Sequence, residues 1–137
     1  MSIRLDHVNI TVNQLDESIK WYQELFGFEK VESGITQQGK RWAIVACNDS
    51  MIAMTEYPEK QPANQKFQSE QRIFHFGIRV ENADAWRAKI KAHNLKLYYG
   101  GEIDYPSSRS WYIHDPSGHE IEVSYSDGKP LRFPEPR

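Results

Sequence analysis

A single cysteine, Cys47, leaves no disulfide to form within the chain and excludes the stapled scaffold of small secreted proteins. Long hydrophobic runs are missing too: the apolar stretch through Ala43 to Cys47 is far too short to cross a bilayer. There is no excess of charge of one sign. With 17 basic side chains against 19 acidic ones, the net charge is -2, which argues against nucleic acid or an anionic membrane as partner. Residues 1–12 carry no signal-peptide pattern, so the protein is expected in the cytoplasm. Aromatics, by contrast, are plentiful. They make up 12% of 137 residues, enough to help fill one domain core of ordinary size.

The chain repeats itself weakly. At an offset of 68, Asp-His-Val-Asn-Ile-Thr-Val (6–12) lies over Phe-His-Phe-Gly-Ile-Arg-Val (74–80), which sets His7 on His75, Ile10 on Ile78 and Val12 on Val80. An offset of 69 then places Trp42 on Trp111, Ile44 on Ile113 and Ile52 on Ile121. Secondary-structure patterns repeat along with these identities. Each half opens with a period-two strand, with Leu5, His7, Asn9 and Thr11 on one face of the first and His75, Gly77 and Arg79 on one face of the second. A helix follows each strand. Asn13 or Asp16 is expected to cap the first, whose stripe is Leu15, Ile19, Tyr22 and Phe26 before Gly27. Asn82 should cap the second, in which Ala83, Trp86 and Ile90 face inward and Asn94 ends the turn.

Three more strands are expected in each half, at 28–35, 40–47 and 50–56, then at 95–99, 109–114 and 119–125. Asn48-Asp49 and Asp115-Pro116-Ser117-Gly118 signal the tight links. The reading is one α+β domain over residues 1–137, built from two βαβββ modules at about 4–57 and 73–126. A polar linker or lid (58–72) joins them, and a C-terminal tail (127–137) follows.

Parity selects the chemistry. His7, Asn9 and Thr11, then His75 and Arg79, then Glu120, Glu122 and Ser124 all point away from the helix-packed faces. Two histidines and an acid on three strands form a ligand set for a divalent first-row metal. His93, His114 and His119 sit at a helix end or beside a turn and read as surface residues.

Asp-His-Val-Asn-Ile-Thr-Val, Ser-Ile-Lys-Trp-Tyr-Gln-Glu-Leu-Phe-Gly-Phe (18–28) and Asp-Pro-Ser-Gly-His-Glu-Ile-Glu-Val (115–123) together resemble the vicinal oxygen chelate superfamily, from about residue 4 to 126. That superfamily includes glyoxalase I, fosfomycin-resistance transferases, extradiol dioxygenases and bleomycin-resistance proteins. The resemblance implies a U-shaped mixed sheet around a metal cleft, with His7, His75 and Glu122 as ligands. It also implies a homodimer whose site is shared across the interface, His7 coming from the partner chain.

Glyoxalases add a glutamate on the last strand of the first module. The repeat puts Ala53 at that place, which leaves Glu56 as an exposed strand-end residue. A His/His/Glu triad leaves coordination positions open. It suits Fe2+ or Mn2+ first, then Ni2+ or Zn2+, and lets a small polar substrate chelate through neighbouring oxygens. Asn9, Thr11, Arg79 and Tyr112 are candidate substrate contacts. Tyr112 and Glu120 are the candidate catalytic side chains. Arg79 could meet an anionic substrate group or pair with Glu120. Tyr112, ten residues before Glu122, also resembles part of the extradiol dioxygenase signature, but the histidine that should precede it is missing. The expected function is a metal-dependent lyase or isomerase, transferase or dioxygenase. The alternatives are a metal-free small-molecule binder of the bleomycin-resistance type and a structural dimer.

Overall fold

The alternation that follows His7 becomes β1 (Val8–Val12), with Ile10 and Val12 buried and Asn9 and Thr11 exposed. α1 (Leu15–Phe26), β2 (Glu29–Ile35), β3 (Arg41–Cys47) and β4 (Ser50–Glu56) follow. The order then repeats as β5 (Phe76–Val80), α2 (Ala83–Ala92), β6 (Tyr98–Tyr105), β7 (Ser108–His114) and β8 (Glu120–Tyr125). The computed structural model describes residues 1–59, 72–106 and 108–126, and the chain divides into two compact units, Met1–Glu70 and Gln71–Arg137. Almost all of the expected linker (58–72) and all of the tail (127–137) lie outside the described residues. Among the described residues, no helix is long and apolar enough to cross a membrane.

Each unit is one βαβββ module with its own mixed four-stranded sheet, ordered β1-β4-β3-β2 in the first and β5-β8-β7-β6 in the second. In both, the first and last strands pair in parallel and the remaining pairs are antiparallel. This is the α+β architecture expected from the repeat.

In the first unit the helix is rotated from its expected stripe. Leu15, Ser18, Tyr22 and Leu25 are buried, while Ile19 and Phe26 are only half-buried. Tyr22, fully buried, sets that rotation: its ring meets Phe28 edge-on at 6.1 Å, and the small Ser18 sits buried one turn earlier. Neither Asn13 nor Asp16 is the N-cap residue of the helix. The N-cap is Gln14, which makes no side-chain cap bond. Instead the Leu15 N–H donates to Glu56 Oε2 at 2.8 Å. Asp16 lies 2.9 Å from Arg41, whose guanidinium holds that carboxyl below its usual range.

In the second unit Asn82 does cap its helix, accepting from the Ala85 N–H at 2.9 Å. Asn94 ends the turn in the left-handed region at φ 49°. Trp86 is buried, and Ala83 and Ile90 are half-buried. The guanidinium of Arg87 lies 5.8 Å from the Trp111 ring and bonds Glu102 at 2.7 Å.

Two expectations about the strands need correction. The strand expected at 95–99 starts at Tyr98 and runs to Tyr105, because Tyr99, Gly100 and Gly101 form a bulge inside it with φ 59°, 86° and 105°. Pairing skips from Tyr98↔Tyr112 to Ile103↔Ser110 across this bulge. Gly100 and Gly101 are therefore part of the strand.

Trp42 and Trp111 do not correspond. Trp42 pairs with Thr55 and is half-buried, whereas Trp111 pairs with Val123 and is fully buried. β3 maps onto β7 at an offset of 68, and β4 onto β8 at 69, so Ala43 is the counterpart of Trp111. The extra residue sits in the hairpin. Residues 48–49 turn the first, and 116–118 turn the second with Gly118 at φ 90°.

Candidate metal centre

In the second unit, strand parity and the hairpin together build a polar sheet face. Asp115 is buried, and its Oδ1 accepts from the Ser117 and His119 N–H groups at 2.9 and 2.8 Å. The Asp-Pro-Ser-Gly-His motif is thus the clamp that starts β8 with Glu120 and Glu122 on one side and Ile121 and Val123 in the core.

Register fills in the neighbours. Glu122 faces Gly77 on β5 and Tyr112 on β7, while Glu120 faces His114. The Tyr112 hydroxyl donates to Glu122 Oε1 and lies 2.9 Å from the Tyr105 hydroxyl. Burial first, then the bonds to Glu122 and Tyr105, push the Tyr112 phenol far above its ordinary range, so it stays a donor. Glu120 is held from several sides. The Tyr99 hydroxyl donates to its Oε1, His75 Nδ1 stands 3.2 Å from its Oε2, and His114 Nε2 is 4.0 Å from its Oε1. The bond to Glu120 raises the Tyr99 phenol as well.

Several sequence readings change here. Arg79 does not pair with Glu120; it donates to Ser126 Oγ at 2.6 Å. Arg79 faces Ser124, and that offset places Glu120 about 13 Å back along the strand at the usual rise per residue. His114 is exposed, as expected, and its ring stacks on Tyr98 with centroids 3.8 Å apart. His93 is exposed, and His119 contributes its backbone to the Asp115 clamp.

Tyr99 was not foreseen because regular alternation puts residue 99 opposite in parity to Tyr98. Only the bulge turns it toward Glu120. A tyrosine ahead of two consecutive glycines is the sequence signal that could have revealed it.

The first unit carries the other histidine. His7 Nδ1 lies 2.7 Å from Asp6 Oδ2, and the side chain is exposed. Asn9 pairs with Ala53 in the register that Gly77 and Glu122 share. Glu56 is not an exposed strand-end residue. It shares the helix-facing parity of Ile52 and Met54, caps α1 and lies 3.5 Å from Arg41.

Imidazole and carboxylate suit a divalent ion, and two observations fit the use of these side chains for one. Each histidine turns Nδ1 toward a carboxylate, which leaves Nε2 as the outward ligand atom. Moreover, His75 Nδ1 and Glu120 Oε2 are buried 3.2 Å apart, and neither atom has a hydrogen-bond partner. Among the described residues, no group of three His, Cys, Asp or Glu side chains converges as a metal cage.

Comparison with known proteins agrees with this architecture. The metallothiol transferase FosB of Staphylococcus epidermidis is 24% identical over 87% of this chain and 79% of its own length. A manganese-dependent 2,3-dihydroxybiphenyl 1,2-dioxygenase of Geobacillus genomosp. 3 is 27% identical over 88% of the chain, which spans only 38% of that enzyme. Among solved structures, a mutant of the fosfomycin resistance protein FosX of Listeria monocytogenes, complexed with Mn(II) and 1S,2S-dihydroxypropylphosphonic acid, shares the fold. Its TM-score is 0.69 at 19% identity, covering 95% of this chain and 96% of that one. The profile that matches residues 4–123 is that of the Glyoxalase/Bleomycin resistance protein/Dioxygenase superfamily, and the chain belongs to that superfamily.

Proposed function

We propose that the protein is a cytoplasmic, metal-dependent enzyme in which His7, His75 and Glu122 hold one divalent ion. Manganese or iron(II) is favoured over nickel or zinc. The working form is a homodimer in which His7 is supplied across the interface. The observation that carries this reading is the treatment of His75: its Nδ1 faces a buried carboxylate, and it shares a sheet face with Glu122, which Tyr112 holds in place. Manganese in the dioxygenase relative and in the FosX complex supports the choice of ion.

Bound there, such an ion supplies Lewis-acid stabilisation to a small substrate that offers two neighbouring oxygens. The side chains do the rest. Tyr112, kept protonated, orients Glu122 with its one O–H and offers its oxygen to the substrate as an acceptor, while Asn9, Thr11 and Arg79 provide polar contacts. Ala53 stands where glyoxalases carry a second glutamate, and Glu56 is committed to α1. That favours transfer or ring cleavage over glyoxalase-type isomerisation.

Elemental analysis of untagged protein beside a Glu122→Ala variant tests the reading. About one Mn or Fe per chain, lost in the variant, is the expected result. Protein that carries no metal and also refuses Fe(II), Mn(II), Ni(II) and Zn(II) would overturn it and leave a metal-free small-molecule binder.

A further inference from the structure

The second unit commits an unusual amount of structure to Glu120. Its side chain is only 11% exposed, although it lies on the polar face of β8. Burying a carboxylate on a sheet is costly unless donors surround it. The donor on Oε1 is the Tyr99 hydroxyl, and Tyr99 reaches it only through the left-handed Tyr99-Gly100-Gly101 bulge. A tyrosine in that backbone region is strained, and such strain persists only where neighbouring structure holds it. The other oxygen, Oε2, is buried 3.2 Å from His75 Nδ1, itself buried, and neither atom has a hydrogen-bond partner elsewhere that would draw it from the other.

We propose that Glu120 is a positioning residue that acts through His75. It holds the proton on Nδ1 and so presents Nε2 as the ligand atom, while Tyr99 and its bulge fix the carboxylate that does this. The inference rests on the proposed metal site but assigns Glu120 a place behind the ligand, not on the substrate. Glu120→Gln removes the charge that favours a proton on Nδ1. Tyr99→Phe removes only the hydroxyl that steadies the carboxylate. Partners that orient a ligand from behind in this way typically contribute 10–100-fold in metal affinity.

The test uses the full chain and two readouts at one fixed pH. In the metal-free protein labelled with 15N-histidine, ring spectra report the His75 tautomer. In the same protein, electron paramagnetic resonance of free Mn(II) reports affinity. Native His75 is expected as the Nδ1–H tautomer. Glu120→Gln should mix the two tautomers and weaken Mn(II) binding about 10–100-fold, and Tyr99→Phe should shift both readouts in the same direction by less.

An unchanged tautomer in Glu120→Gln would overturn the proposal, whatever the metal does. So would unchanged Mn(II) affinity in that variant while the native protein binds the ion and Glu122→Ala does not. Native protein that binds no Mn(II), with the tautomer dependence intact, would instead sink the metal-site reading and leave Glu120 positioning a histidine for other use. Because Tyr99→Phe keeps the fold's buried groups intact, it separates positioning from loss of structure if Glu120→Gln folds poorly.

Discussion

The two units share one framework and differ most on one face of it. Register matches His7, Asn9 and Thr11 with His75, Gly77 and Arg79, and Met51, Ala53 and Thr55 with Glu120, Glu122 and Ser124. On the third strand Trp42, Ile44 and Ala46 match Ser110, Tyr112 and His114. The first unit therefore offers a half-buried apolar floor edged by His7, Asn9 and Thr11, and the second a lattice of carboxylates and phenols.

The differences come in pairs. Where the second unit has Glu122 it also has Tyr112 to donate to it, and the first has Ala53 beside Ile44. Where the second has Glu120 beside His114, the first has Met51 beside Ala46. A carboxylate on a half-buried sheet face is tolerated only with its donors, so the two change together.

The comparison can be broken by experiment, and the tryptophans give the largest expected effect. Trp111→Ala should cost about 3–5 kcal/mol in urea denaturation, and Trp42→Ala no more than about half of that. Equal losses would undo the register that separates the two. Next come the carboxylates. Glu122→Ala should lower Mn(II) affinity about 100-fold or more, roughly 2.7 kcal/mol. Glu56→Ala should keep the metal but lose about 1–2 kcal/mol of stability with the cap on α1. Metal lost from Glu56→Ala would return that residue to the ligand set.

The helix starts divide the units more finely. Asn82→Ala should cost about 1 kcal/mol, and Gln14→Ala, which makes no cap bond, close to nothing in the same melts. Last is an effect absent at neutral pH. Because folding raises the Tyr112 phenol, its contribution is complete below about pH 10, where unfolded tyrosine keeps its proton. Above that pH the unfolded chain ionises while Tyr112 does not, so stability should fall. Melts between about pH 9 and 11.5 should show the fall in the native protein and a shallower one in Tyr112→Phe.

Much of this was legible in the sequence because period-two parity is a local property. His7, Asn9 and Thr11, and Glu120 and Glu122, could be assigned to the side away from the buried core before any coordinates, and Asn82 could be named as a cap. What was not legible depends on contacts distant in sequence. Glu56 reaches α1 across 41 residues, and no local pattern near Asn13 or Asp16 announces that the cap arrives from another strand. Tyr99 was missed because a bulge, not alternation, brings it to Glu120, and His114 because only the register of β7 on β8 sets it opposite that residue. The matched tryptophans misled for a simpler reason: one added hairpin residue changes the offset partway through each module, and a residue shared by type need not be shared by face.

That added residue also dictates how chemistry could be moved from one unit to the other. A transplant must be addressed in two reading frames, by subtracting 68 before the hairpin and 69 after it. Glu122 then goes to Ala53→Glu, and its phenol donor to Ile44→Tyr, on the same face. A designer using 69 throughout would instead make Ala43→Tyr, which drives a phenol into a fully buried position and overpacks the core. The hairpin thus works as a frame marker: design by copying succeeds only where the count restarts at the turn.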